Sequence, residues 1–255
     1  MLFHFDRRKK SEKEKKPPRF LVLRRKWLTL GAAVLAAAAI FAAVNYPAAV
    51  SASAATRQLP IYCVQRDQKV CSISFDAAWG ADNTQKILDV LKEKNAPGMF
   101  FLVGHYVDTA EDVIRRMIDE GHLLGNHTNN HPDLTTVDAQ TFVKELTDLE
   151  DKVKAKFPDA PPMRYMRPPE GACNEWSLAM AKKMDYTTVL WSWGHHDWVE
   201  NDQPDPASAL EKAKQGLHPG AVYLFHCVGS TNPAILGDLI DYIRAQGYEI
   251  HPLCD

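Results

Sequence analysis

Residues 122–131 read HLLGNHTNNH: a short apolar run closed by two histidines four positions apart, His127 and His131. The run has the length of a strand and is bounded by Gly and Asn, so the imidazoles fall just past the carboxyl end of a strand. Six other runs have the same form: CSISF (71–75), GMFFLVG (98–104), MRYMR (163–167), TVLWSW (188–193), AVYLF (221–225) and YEIHPL (248–253). Helical patterns lie between them. In NTQKILDVLKEKN (83–95), Ile87, Leu88 and Leu91 share a face, and in AEDVIRRMIDEG (110–121) Val113, Ile114, Met117 and Ile118 do. Longer helices are expected over 138–157, 175–184, 206–215 and 234–246.

Strands alternating with helices imply a parallel sheet, because each crossover returns the chain to the same edge. The fold class expected is therefore α/β, a distorted (β/α) barrel of about seven parallel strands, with its site at the carboxyl ends of the strands. The polar residues agree. Asp76 ends the first strand, Arg167 the fourth and His226 the sixth, while the group GHHDW (194–198) follows the fifth. Polar residues scattered at random would occupy both ends, so one shared cavity is expected.

The first 26 residues carry eleven Lys/Arg against three acids, a charge of +8, which leaves −10 on the rest of a chain whose total is −2. A basic arm of that kind suits a nucleic-acid tail or a solvated charge run. The adjoining stretch decides otherwise. From Trp27 to Thr56 there is no charged residue, and about twenty apolar residues span a bilayer as a helix. Arg24, Arg25 and Lys26 abut that run, which places the N-terminus in the cytoplasm and the body outside. Small residues at Ala52-Ser53-Ala54 also permit signal cleavage, so the body is either anchored at the cell membrane by a single pass or secreted. The expected organisation is a basic tail (1–26), an anchor or signal segment (27–50), a linker with a possible first hairpin strand (51–68) and one exported domain (69–255). No nucleic-acid partner is expected, and a monomer is.

Five cysteines, Cys63, Cys71, Cys173, Cys227 and Cys254, all lie in the exported part. An odd count leaves at least one unpaired. Cys63 and Cys71 flank QRDQ and could face each other across a hairpin. With no Cys-x-x-Cys, neither a zinc ribbon nor a thioredoxin-type site is indicated, and structurally inert thiols are expected.

Two neutral imidazoles and a carboxylate suit a borderline divalent metal. Such an ion acidifies water and polarises a carbonyl. A carboxylate base and an imidazole acid on opposite sides of that carbonyl complete acyl-transfer hydrolysis. The motifs carrying these groups, FDAAWG (75–80), HTNNH (127–131), RPPEGA (167–172), HDW (196–198) and LFH (224–226), resemble in order those of the polysaccharide deacetylases with NodB homology, carbohydrate esterase family 4. The resemblance runs from about Lys69 to Leu253 and is closest to the delta-lactam and sporulation-type peptidoglycan de-N-acetylases.

The resemblance implies an extracytoplasmic, metal-dependent hydrolase that removes N-acetyl groups from cell-wall glycan. It implies Asp76 as general base, His127 and His131 as ligands of a divalent metal (zinc, with cobalt or nickel as alternatives), and Arg167 as the partner that keeps Asp76 ionised. His226 would be the acid, tuned by Asp197. Trp198 and Leu224 would wall the acetyl pocket, and a backbone N–H near Glu170 would meet the oxyanion.

One position departs from the family pattern. Its second aspartate, the usual third metal ligand, is Ala77 here. Asp82, His195, His196 or an additional water are the replacements open to this chain, although Asp82 also suits a helix cap. The departure also leaves open a catalytically weak descendant that binds glycan or a wall-assembly partner. Taken singly, Asp76 could be a turn residue, Arg167 a surface arginine and His226 a satisfied core histidine. Trp191 and Trp193 share a strand face, so one of them suits the core rather than a sugar platform.

Overall fold

The computed structural model describes residues 59–64 and 67–253. The basic tail, the apolar run and Cys254 lie outside the described residues. Among the described residues no helix is long and apolar enough to cross a membrane.

All seven apolar runs form strands, and every pairing between them is parallel. The strands are β1 (Val70–Ala77), β2 (Met99–Leu102), β3 (Leu123–Asn126), β4 (Tyr165–Met166), β5 (Thr187–Thr188), β6 (Trp193–Gly194), β7 (Ala221–His226) and β8 (Glu249–Ile250). The helices are α1 (Asp82–Glu93), α2 (Gly104–Thr109), α3 (Glu111–Asp119), α4 (Ala139–Lys156), α5 (Glu175–Lys183), α6 (Pro206–Gln215) and α7 (Thr231–Ala245), with a 3₁₀ turn at Pro169–Gly171. The sheet runs β5-β4-β3-β2-β1-β7-β6, and β8 pairs with the start of β1.

One run departs from the sequence expectation. TVLWSW does not make a single strand: its ends enter β5 and β6, which stand at opposite ends of the sheet order. Residues 189–192 cross between them, Val189 donating its N–H to Met166 O and Ser192 its N–H to Val222 O. A four-residue crossing brings the two sheet edges together, so the sheet curls into the distorted barrel without a ladder between β5 and β6. The segment around Ile61 straps this gap. Ile61 bridges to Val189 and Cys63 to Ala221. That placement overturns the Cys63–Cys71 hairpin, since Cys71 also pairs with Ala221, but from β1. All four described cysteines are free thiols.

Alternation along β1 divides the molecule. Cys71, Ile73, Phe75 and Ala77 join the large cluster under the helices, with Ile87, Leu88 and Leu91 of α1 and Val113, Ile114 and Met117 of α3. Ser72, Ser74 and Asp76 are also buried and, by the period of two, face the barrel interior. Met99, Phe101, Tyr165, Val189, Val222 and Leu253 pack as a second, smaller cluster.

The helix ends follow local chemistry. Asp138 caps α4 by accepting from Thr141 N at 2.7 Å, and Asp205 caps α6 by accepting from Ser208 N at 2.9 Å. Helix α7 begins at Thr231, three residues before the expected start at 234, because Pro233 is tolerated in a first turn, where its missing N–H has no helical partner. The GMFFLVG run ends as strand at Leu102 and turns into the short helix α2. A side chain at Gly104 would place its Cβ 2.6 Å from the Asn129 carbonyl oxygen, so only glycine lets this turn lie against the histidine loop.

Candidate active site

The site is assembled at the carboxyl ends of β1, β3, β4 and β7, as the polar residues of the sequence foretold. Its centre is a buried ion pair. Arg167, just past β4, is fully buried and donates from Nη1 to Asp76 Oδ1 at 2.7 Å and from Nη2 to Ser74 Oγ at 2.8 Å. Its remaining donors reach the carbonyls of Val189 at 3.2 Å and Leu190 at 3.2 Å, within the crossing segment. The guanidinium carbon lies 4.0 Å from the centroid of the Phe101 ring. Burial alone would push the Asp76 carboxyl up. Arg167, with His127 and His226, holds it below the usual carboxylate range, so Asp76 is ionised at neutral pH.

His127 and His131 sit on a loop fixed at several points. Asn126 Oδ1 accepts from Thr128 N at 2.9 Å, and Thr128 Oγ1 accepts from His131 N at 2.9 Å. Glu145 of α4 accepts from Asn130 through the backbone N–H at 2.7 Å and the side-chain amide at 2.8 Å. Thr128 at φ 71° and His131 at φ 58° both occupy the left-handed region. Such strain persists only where the surroundings over-determine it. The two rings meet edge to face at 4.9 Å.

The Arg167 carbonyl oxygen lies 2.7 Å from His127 Nδ1, so Nδ1 carries the proton as donor and Nε2 keeps its lone pair. His127 Nε2 stands 3.4 Å from Asp76 Oδ2. Burial lowers the His127 pKa to about 4 and lowers that of His131 as well. Both imidazoles are therefore neutral at pH 7, the state a metal requires.

His226, with Asp197 behind it, lines the same cavity. His226 is the register partner of Asp76 on the adjacent strand. Asp197 is fully buried and lies 2.6 Å from His226 Nδ1, and its other oxygen accepts from His226 N at 2.8 Å and from Asn232 Nδ2 at 2.6 Å. Burial would push Asp197 up, but hydrogen bonds from His195 and His226 hold it at about 2. Burial likewise works against the charged His226 ring, and the Asp197 bond with the nearby Asp76 charge outweighs it, raising its pKa.

Asp76, His127, His131 and His226 line one cavity of about 750 Å³, together with Trp79, Glu170, Trp191, Trp198 and Leu224, while Arg167 and Asp197 support them from behind. Glu170 holds a left-handed backbone at φ 56° within the 3₁₀ turn. Of the two tryptophans sharing a strand pattern, Trp193 packs on Tyr223 and Phe225, while Trp191 lines the cavity.

The expected replacement ligands are not brought to the histidine pair. Asp82 is exposed in the first turn of α1, where the cap position is Ala81, so it serves neither as ligand nor as cap. His195 Nε2 is engaged by Asn232 Oδ1 at 3.0 Å and stands 3.3 Å from Asp197 Oδ2, which ties it to the Asp197–His226 side. His196 lies against Trp198 with ring centroids 4.2 Å apart and planes tilted at 60°, and faces Asp202 at 3.4 Å on the rim. Ala77 is buried with the apolar face of β1. Among the described residues no group of three His, Cys, Asp or Glu is arranged to hold an ion. The donor set present fits an ion held by two imidazoles and completed by solvent.

Sequence reasoning missed three residues here. Ser74 was legible in principle, two residues before Asp76 on the same strand face. Trp79 stands within FDAAWG, yet its place at the rim depends on the turn after β1. Asn232, which donates to both Asp197 Oδ2 and His226 O, carries no sequence signal.

The profile of the family described as polysaccharide deacetylase matches residues 64–189. Over 194 residues the chain is 37% identical to the peptidoglycan-N-acetylmuramic acid deacetylase PdaA of Bacillus subtilis, covering 76% of this chain and 73% of that protein. The structure of Bacillus subtilis PdaA, a family 4 carbohydrate esterase, is similar with a TM-score of 0.73 and 36% identity, over 76% of this chain and 83% of that one. A CE4 family pseudoenzyme from Bacillus anthracis is similar with a TM-score of 0.71 and 25% identity, over 77% of this chain and 68% of that one.

Proposed function

The chain belongs to the polysaccharide deacetylase family of hydrolases, and from that premise we propose that it removes N-acetyl groups from peptidoglycan on the outer side of the cell membrane. The observation that carries this reading is the pairing of Asp76 with His226 on neighbouring strands, the carboxylate bound by Arg167 and the imidazole bound at Nδ1 by Asp197, which raises its pKa. A base and an acid thus face one cavity from two sides, which amide hydrolysis requires. The name of the Bacillus subtilis relative supports N-acetylmuramic acid as the first sugar to test, with N-acetylglucosamine second. The basic leader and the uncharged run after it support a membrane anchor with the domain outside.

His127 and His131 would hold a divalent ion, zinc first, with cobalt and nickel as alternatives. When bound, such an ion acidifies water and polarises the acetamide carbonyl. The chain's own residues then divide the proton work. Asp76 accepts the proton of the attacking water, and Arg167 keeps the carboxylate oriented and charged. His226, whose Nδ1 is engaged by Asp197, delivers a proton from Nε2 to the departing amine nitrogen. Trp198 and Leu224 wall the acetyl methyl, and the backbone at Glu170 faces the oxyanion.

Ala77 favours a second reading, a glycan-binding protein without turnover, and a pseudoenzyme stands among the structures it resembles. Acetate release from peptidoglycan fragments separates the two. The full-length chain, supplied with zinc, cobalt or nickel, is expected to release acetate and the Asp76→Asn variant to release none. Glycan binding with no acetate under any of the three ions would establish the second reading.

A further inference from the structure

Three tryptophans are exposed among the described residues, and two of them stand at the rim of the catalytic cavity. Trp79 is 57% exposed and Trp198 54%. The third, Trp176, lies on α5 with its ring against Phe142. Trp79 belongs to the turn between β1 and α1, where Gly80 at φ 71° supplies a left-handed position. This turn sets the indole beside His131, ring centroids 5.7 Å apart and planes at 67°. Trp198 follows β6 and stands beside His226, also at 5.7 Å, with planes at 63°. One indole therefore marks the histidine-pair side of the cavity and the other the acid side.

An indole left in water forgoes a large burial term. Exposed apolar surface rimmed by polar groups marks a ligand site, and here both indoles continue the cavity wall formed by Trp191 and Leu224. Trp79 meets the His131 ring edge to face, and the indole stays mostly solvated. A pyranose is the ligand such a surface matches: its C–H face lies on an aromatic plane while its hydroxyl rim reaches polar groups such as Glu170 and His196.

Resting on the deacetylase reading, we propose that Trp79 is a sugar-stacking platform, set across the cavity from Trp198, so that the protein grips a glycan strand on both sides of the reacting sugar. The consequence is a preference for sites within a strand over isolated sugars.

The test uses the full-length chain in detergent, carrying Asp76→Asn to stop turnover, titrated calorimetrically with a peptidoglycan-derived hexasaccharide and with a single N-acetylated sugar. Adding Trp79→Ala is expected to weaken hexasaccharide binding roughly tenfold and to leave the single sugar unchanged. Trp79→Tyr, which keeps an aromatic face, is expected to retain most of the affinity. In the otherwise intact chain, Trp79→Ala should raise KM for the hexasaccharide with kcat unchanged. Equal hexasaccharide affinity with and without Trp79, in a chain whose intact form releases acetate, would overturn the platform alone. No acetate from the intact chain and no glycan bound by its Asp76→Asn form would overturn the deacetylase reading and the platform with it.

Discussion

The two sides of the cavity hold their charge by different means. On the base side, Asp76 is neutralised by a guanidinium with no exposed surface, tied by four hydrogen bonds to β1 and to the crossing segment. On the acid side, a fully buried carboxylate supports an imidazole that keeps about a quarter of its side chain in water. The base is built into the packing of the barrel, whereas the acid stands at its mouth. A buried pair is costly to break because removing one member strands the other's charge. Removing the partly exposed imidazole leaves Asp197 with the backbone N–H of residue 226, Asn232 and His195 as partners, so it costs less than opening the Asp76–Arg167 pair.

The largest effect is expected from Asp76→Asn, which removes the base: acetate release should fall about 10⁴-fold, measured by enzymatic acetate detection. Arg167→Met sharpens the comparison on stability. It leaves Asp76 buried without a counter-charge, and denaturant unfolding should show a loss of about 3–5 kcal/mol. His226→Gln should cost about 10²–10³-fold in kcat while losing less stability than Arg167→Met, because Asp197 keeps its other partners. A large stability loss in His226→Gln would erase the distinction between the two sides.

The smallest effect concerns pH. The folded His127 titrates at about 4, below its ordinary 6.5, so below pH 6.5 the unfolded chain binds a proton that the native state refuses. Stability is then full above 6.5 and declines as pH falls toward 4, by about 3 kcal/mol. Unfolding followed in chelator at pH 7 and pH 4.5 measures this slope, and His127→Gln should flatten it. Kinetically, the depressed Asp76 and the raised His226 spread the active range: activity rises with pH through a value below the usual carboxylate one and falls above the usual imidazole one.

Much of this site was legible because strand ends are. Asp76, His127, Arg167 and His226 each follow an apolar run of strand length, and a parallel sheet gathers such positions at one edge. The crossing at 189–192 was not legible: TVLWSW has the length and composition of one strand, and only the closure of the sheet decides that its middle leaves one edge for the other. Long-range packing also hid Asn232, which lies on α7 rather than at a strand end. The replacement ligands failed for a related reason. His195 was close in sequence to the right place, yet Asp197 and Asn232 hold its ring on the acid side. Ala77 was legible at once, and the structure offers no carboxylate in its stead.

Catalysis by this chain turns on whether two imidazoles suffice. The most direct measurement is the zinc, cobalt and nickel stoichiometry of the full-length chain, purified in detergent, beside its His127→Ala variant. Close to one ion per chain, lost in the variant, is the expected result. No ion bound by either protein, at concentrations that saturate a three-ligand site, would contradict it.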